Sequence, residues 1–297
     1  MNILVTGASG VIGSVISSHL RSNGHQVFAL TRTGNAPCWN IEQQTVDFGS
    51  TQYDVVIHLA GENIAAGRWT AARKERIRAS RVNGTRLLCN KLAQLADKPA
   101  LLICASAVGI YGDCGTREVD EQAAPGRGFL AEVCAQWEQA CQPAVTAGIR
   151  VVHLRLGMVL DGNGGALQKM LPPFKLGLGG KIGSGGQYMS WITSADVAAI
   201  TEFIIEHPEI SGAVNCCTPT AATNAEFTNA LGTALQRPTP LPVPAAAINL
   251  IFGEMGRELL LSSARVRPTR LLDWNYPFRH PNLPAALAYC LNPGTVQ

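Results

Sequence analysis

Residues 2–13, Asn2-Ile3-Leu4-Val5-Thr6-Gly7-Ala8-Ser9-Gly10-Val11-Ile12-Gly13, constrain this chain most. Asn2 to Thr6 is a short apolar run with the length of a buried strand. After the glycines, Val11, Val15, Ile16 and Leu20 fall on one face of a helix. Strand, glycine turn and helix start in that order make a dinucleotide-binding arrangement, because free N–H groups and the helix dipole point at the pyrophosphate. Gly7 permits the turn, Gly10 lets phosphates approach the backbone, and Gly13 lets the helix pack on the strand. The candidate phosphate contacts are Gly7, Ser9, Gly10, Val11 and Ile12. The spacing is G-x-x-G-x-x-G, and its position between strand and helix makes it more than an incidental glycine turn.

The second strand, Gln26 to Leu30, decides the type of cofactor. NAD binders carry an acid at its end to accept from the ribose 2′-hydroxyl. Here the chain reads Thr31-Arg32, with no acid from Val27 to Ala36. An arginine fork suits a 2′-phosphate, so the expected cofactor is NADP(H).

Further along, Val46-Asp47-Phe48 reads as a short third strand, with Asp47 either near an adenine or in a solvated turn. A fourth strand, Asp54 to Leu59, runs into small residues where a cofactor crosses the sheet edge, so Leu59, Ala60 and Gly61 join the candidate contacts. Glu62 is either a site residue or a helix-start acid. The basic run from Arg68 to Arg86 reads mostly as a solvated helix face, with Arg81 singled out as able to reach the phosphates. The fifth strand, Ala100 to Ala105, ends in Ser106, whose hydroxyl is either a cap or a donor to a substrate carbonyl beside the nicotinamide. Tyr111 is expected to line the same pocket, which makes Ser106 and Tyr111 the catalytic candidates. A helix over Phe129 to Ala140 turns Leu130, Val133, Cys134 and Trp137 inward. A sixth strand, Val151 to Leu156, brings the backbone of Gly157, Met158 and Val159 to the nicotinamide amide.

The glycine-rich stretch Asp161 to Gln187, with Pro172-Pro173 inside it, reads as a substrate lid or an irregular connection. Ser194 or Thr193 caps a helix running to about Glu206, and Gly212 to Cys216 is one more strand. Beyond lie a helix and Pro-rich linker, an amphipathic segment Ile248–Leu261, a basic exposed stretch Arg265–Arg270 and a last helix Leu283–Leu291. The NADP-binding core is expected over 1–165, completed by about 193–217, with a smaller lobe from 166–192 and 218–297. A net charge of +3 with 15% charged residues implies no nucleic-acid partner. No segment has the apolar length to span a bilayer, nine cysteines lack C-x-x-C spacing, and no metal-ligand spacing occurs. The expectation is a cytoplasmic protein with reduced thiols, monomeric or homodimeric, acting on a small molecule that the sequence does not identify.

Alternating strands and helices imply an α/β fold with a doubly wound parallel sheet. TGASGVIG at 6–13, HLAGE at 58–62, SAVGIYGD at 106–113 and GSGGQYMSWITSADVA at 183–198 resemble the extended short-chain dehydrogenase/reductases. LPPFKLGLGG at 171–180 and LLDWNYPFRHPNLPAAL at 271–287 are similar to the epimerase-like, NADP-binding family that carries its own small C-terminal domain. The resemblance covers essentially the whole chain and implies a Rossmann-like core binding NADP, with the smaller lobe over the nicotinamide end. It also implies a Ser, Tyr, Lys set in which the lysine and cofactor lower the tyrosine pKa.

The sequence departs from that set. The residues four after Tyr53, Tyr111, Tyr188, Tyr276 and Tyr289 are Ile57, Gly115, Ile192, His280 and Pro293, none of them lysine. Placing Glu138 at the family's acidic position puts Leu130 where the tyrosine stands and Cys134 where the lysine stands. Three readings follow: an NADP-dependent oxidoreductase or epimerase-like enzyme with another proton donor among Tyr111, Tyr188 and Glu62, a non-catalytic NADP(H) sensor or regulator, or an interaction protein on an inherited fold. The cofactor assignment predicts that Arg32→Ala weakens NADPH binding far more than NADH binding in calorimetry. Equal loss for both would remove the 2′-phosphate role.

Overall fold

The computed structural model describes residues 1–291. Six strands form one sheet: β1 (Asn2–Thr6), β2 (Gln26–Leu30), β3 (Val55–His58), β4 (Leu101–Ala107), β5 (Arg150–Leu156) and β6 (Gly212–Cys216). Their spatial order is β6-β5-β4-β3-β1-β2 and every pairing is parallel. The inner strands are almost wholly buried, because helices cover both faces, while the edge strand β2 is half-buried. The period of two sorts their side chains. Ile3, Val5, Val55, Ile57, Ile103 and Val152 face α1 (Val11–Ser22) and, through Val197, Ile200 and Ile204, the helix Ser194–Glu206. Leu4, Val56, Leu102 and Val151 face the opposite way, toward α2 (Ala71–Ala93) and Trp137 of α3 (Phe129–Gln139). This is the doubly wound α/β arrangement that the alternating pattern implies.

Two segments depart from the sequence reading. Val46-Asp47-Phe48 does not add a strand to the sheet. Thr45–Asp47 instead pairs antiparallel with Cys38–Asn40, so β2 is the sheet's edge. The reason is Trp39, which is buried against α2 where Gly84 leaves room: a Cβ at Gly84 would lie 3.2 Å from Ile41 Cδ1 and 3.5 Å from the Trp39 ring. Asp47 serves the turn, its Oδ1 accepting from the Gly49 N–H at 2.8 Å.

The glycine-rich stretch is irregular only in part, over residues 176–187. It contains α4 (Gly165–Lys175), whose Leu167, Leu171 and Phe174 fall at helical spacing and enter a third core cluster. Pro172 and Pro173 sit inside this helix, in its last turns, and their carbonyls accept from Leu176 and Leu178. Ahead of it, Gly164 packs on α1 so closely that a Cβ would lie 2.3 Å from Val11 Cγ2.

The chain returns through Trp191–Thr193, which pairs in parallel with Met158–Asp161, into α5 (Ser194–Glu206). Thr193 is its N-cap, accepting from the Asp196 N–H. Three further helices follow, α6 (Asn224–Leu235), α7 (Ala245–Phe252) and α8 (Leu283–Leu291). The amphipathic segment Ile248–Leu261 is broken at Gly253, whose φ is +59°. Arg265–Arg270 is not a free basic surface. Arg265–Val266 pairs in parallel with Glu118–Val119, and the Arg270 guanidinium donates to the Ser211 and Ala213 carbonyls. Among the described residues no helix is long and apolar enough to cross a membrane.

A buried polar chain ties β1 and β3 to the opposite helices. Thr6 Oγ1 lies 2.7 Å from His58 Nδ1, and Thr85 Oγ1 lies 2.8 Å from both His58 Nε2 and Trp137 Nε1. Thr6 Oγ1 already accepts from the Leu59 and Ala60 N–H groups at 3.1 Å. Its two lone pairs are therefore taken, its proton goes to Nδ1, and His58 carries hydrogen on Nε2. Complete burial holds this imidazole neutral, its pKa lowered to about 4. Unfolded His58 binds a proton below about 6.5, so folding stability is intact above that pH and falls as the pH drops toward 4. Urea unfolding is expected to show about 2 kcal/mol lost between pH 6.5 and 5 from this group, a loss that His58→Gln removes.

Candidate functional site

The glycine turn is built from backbone contacts that leave no space for side chains. Gly7 has φ +72°, the Gly10 N–H bonds the Gly7 carbonyl at 3.0 Å, and α1 begins at Val11. A Cβ on Gly13 would lie 2.2 Å from the Gly7 oxygen, and one on Gly7 would meet Leu59 C and Ala60 N at 3.0 Å. The turn thus sits directly against the end of β3. No side chain caps the N-terminus of α1, and its first turn carries no acid. Ser9 and Gly10 are exposed, with Val11 and Ile12 half-buried beside them. Unclaimed N–H groups at an open helix start suit a pyrophosphate, so the residues present fit a dinucleotide.

Thr31 and Arg32 lie exposed just past the end of β2. Thr31 Oγ1 donates to the Thr33 carbonyl at 2.8 Å, which fixes the turn, while Arg32 has no hydrogen-bond or ion-pair partner among the described residues. A guanidinium left free at this edge is available to a phosphate.

The loop after β3 is pinned from α2. Arg81 donates from Nη1 to the Glu62 and Ile77 carbonyls, at 3.0 and 3.3 Å, and lies 5.1 Å over the Trp137 ring. Its guanidinium also backs Gly61, where a Cβ would come within 3.2 Å of Cζ. Burial pulls the Arg81 pKa down, opposed by Glu62 among its neighbours. The Glu62 N–H is held by Ser80 Oγ at 3.0 Å and its carboxylate pairs with Arg73 at 2.9 Å. Glu62 is therefore not a helix-start acid, because α2 begins only at Ala71, behind the Thr70 cap.

At the end of β4, Ser106 is buried and its hydroxyl donates to Glu138 Oε1 at 2.7 Å. Glu138 in turn takes a fork from Arg155, Nε to Oε1 at 2.8 Å and Nη2 to Oε2 at 2.9 Å. The Arg155 Nη1 donates to the Tyr111 hydroxyl at 2.8 Å, and that hydroxyl donates to Asn215 Oδ1 at 2.6 Å. Burial alone would lower the Arg155 pKa, but the Glu138 carboxylate outweighs it and the net shift is upward. Tyr111 is only 3% exposed, and burial pushes its pKa up to about 12 despite Arg155.

The two catalytic candidates lie in one hydrogen-bonded network. Tyr111 is buried with its hydroxyl bonded to Arg155 and Asn215, and the Ser106 hydroxyl is directed at Glu138. Leu130 packs beside Gly109, where a Cβ would meet its own at 3.5 Å. One turn on, burial raises the Cys134 thiol to about 12, so it stays neutral.

Gly157, Met158 and Val159 run between β6 and the Trp191 strand. The Gly157 N–H bonds the Cys216 carbonyl at 3.0 Å, and the Met158 N–H bonds the Ser190 carbonyl at 2.8 Å. A Cβ on Gly157 would stand 2.8 Å from the Ser190 oxygen. The sequence reading missed Arg155 and Asn215, and it used Glu138 only as a marker of register. The available signal was an arginine and an asparagine inside otherwise apolar strands, since an interior charge needs a partner. No cluster of three or more His, Cys, Asp or Glu side chains among the described residues is able to hold a metal.

Because Glu138 and Arg155 are both largely shielded, removing one partner strands the other's charge. Arg155→Met is expected to cost about 3–5 kcal/mol in urea unfolding, with much of that loss recovered in the Arg155→Met, Glu138→Leu double variant.

With the site in view, the comparisons with known proteins bear on it directly. The chain matches the NAD dependent epimerase/dehydratase family over residues 3–217 and a domain of unknown function, DUF1731, over residues 243–290. It is 42% identical to an epimerase family protein of Mycobacterium bovis over 292 residues, covering 97% of this chain and 96% of that one. It is 34% identical to the human epimerase family protein SDR39U1, covering 97% and 98% of the two chains. A crystal structure of that human protein with NADPH superposes with a TM-score of 0.91 at 33% identity, covering 98% of this chain and 99% of that one. A Thermus thermophilus UDP-glucose 4-epimerase in complex with NAD has a TM-score of 0.78 at 21% identity, a likeness of fold alone, covering 100% of both chains. The chain therefore belongs to the NAD dependent epimerase/dehydratase family, with a DUF1731 domain following the dinucleotide-binding fold.

Proposed function

We propose that this chain binds NADP(H) across the glycine turn and the Thr31-Arg32 edge, and that it acts through nucleotide occupancy as a redox-responsive binding protein. The observation that carries this reading is the pairing of an open phosphate cradle with a site in which the positions of the family tyrosine and lysine hold Leu130 and a neutral Cys134, and Ser106 is already bonded. Gly7, Gly10 and Gly13 keep the close approach, and Arg32 offers a free guanidinium. Leu130 has no titratable proton, Cys134 stays a thiol, and Ser106 is engaged by Glu138. The NADPH bound by the human relative supports the same nucleotide here. When bound, the nicotinamide supplies a hydride donor or acceptor, and the protein's own groups described above hold and orient it.

A second reading, an oxidoreductase with a substitute acid, is favoured by one observation. Tyr188 is half-buried, its hydroxyl has no hydrogen-bond partner among the described residues, and the Arg265 guanidinium lies 5.1 Å over its ring. A cation against a free phenol is the chemistry the missing lysine would have provided.

Calorimetry with NADPH is expected to give a dissociation constant of about 10 μM or tighter, roughly 7 kcal/mol. The NADPH-loaded protein is then expected to leave its 340 nm absorbance unchanged across a panel of carbonyls and sugar nucleotides. Turnover abolished by Tyr188→Phe would select the oxidoreductase reading instead. An affinity weaker than about millimolar would remove both.

A further inference from the structure

Residues 245–261 form a unit that the main cores do not claim. α7 and the short helix Glu254–Gly256 enclose Ile248 and Met255, which are buried yet belong to none of the five hydrophobic clusters of the chain. Gly256 approaches Ile248 so nearly that a Cβ would lie 2.7 Å from its Cγ2. Upstream lies the proline-rich linker from Arg237 to Pro244. Downstream, Ser263 is anchored on the main body through the Asp113 carboxylate and the Gly115 carbonyl.

Charge holds this unit against α2 and α3, while the Gln187 amide donates to its Leu260 carbonyl at 2.9 Å. Both oxygens of Glu258 accept from the first free amides of α3, the N–H groups of Phe129 and Leu130, each at 2.9 Å. That helix has no side-chain cap of its own, because Gly128 precedes it, so Glu258 answers both the unpaired amides and the positive end of the dipole. The Lys74 ammonium donates to both oxygens of Glu254 at 2.8 and 3.1 Å while lying 4.7 Å over the Phe129 ring. Gly253, at φ +59°, separates α7 from the half of the unit that carries both contacts. One of the two amides gripped by Glu258 belongs to Leu130, the residue that replaces the family tyrosine and packs on Gly109.

We propose that residues 245–261 are a strap that closes over the substrate end of the site, latched by Glu258 on the start of α3 and by Glu254 on Lys74. When the latch is broken the strap lifts, while the parallel sheet and α1 keep their packing. The inference concerns the protein without nucleotide, so it stands or falls separately from the cofactor reading.

The test is hydrogen–deuterium exchange with mass spectrometry on the full chain, nucleotide-free, comparing wild type with Glu258→Ala and Lys74→Met. Each variant is expected to speed exchange about fivefold in peptides covering 246–261. The peptide covering 107–112, which Leu130 overlies, is expected to speed up with them. Peptides from α1 and β5 are expected to match wild type. Unchanged exchange of 246–261 in both variants would overturn the strap. So would a strap that loosens while 107–112 stays protected, since it then covers nothing. If Glu258→Ala loosens the whole chain, Lys74→Met, which leaves the α3 amides bonded, decides by the same criteria.

Discussion

The structure rests on a backbone-to-backbone contact. The first helix lies so close to the turn that precedes it that nothing larger than hydrogen fits between Gly13 and the Gly7 carbonyl. Gly7 in turn touches the end of β3. Three segments far apart in sequence therefore meet at one point with no side chains between them. The closeness sets the direction of the free amides at the helix start, and so sets where an anion binds. Behind it, Thr6, His58, Thr85 and Trp137 form an unbroken hydrogen-bonded line through the sheet, which fixes the same point from the opposite face.

At the other end of the site, Ser106 and Tyr111 are drawn into an ion-pair network. A tyrosine and lysine at the positions of Leu130 and Cys134 would form a proton relay. Here Glu138 and Arg155 form a shielded ion pair that absorbs the Ser106 hydroxyl and the Tyr111 hydroxyl as well. Such a pair is tolerated because every hydrogen-bonding group in it is answered, and it gives the end of β4 one fixed arrangement.

Much of this was legible in the sequence. The short apolar run from Asn2 to Thr6 and the glycines at 7, 10 and 13 are local signals for the first strand and its turn, and the missing acid after β2 is one for the cofactor. Trp39 was not legible as a hairpin anchor, because its burial depends on Gly84 being small forty-five residues later. α4 was hidden by its glycine and proline content, although Leu167, Leu171 and Phe174 carried the helical spacing. The Ser106 partner escaped because Glu138 lies one helix away and Arg155 one strand away. Local propensity says nothing about which buried charges will meet.

The contact between Gly164 and Val11 carries a consequence of its own. The loop leading into α4 leans on the first residue of the helix that would grip the pyrophosphate, with no slack between them. A side chain at position 164 would therefore have to push against the start of the phosphate-facing helix, so this glycine sets how near α4 and α1 approach.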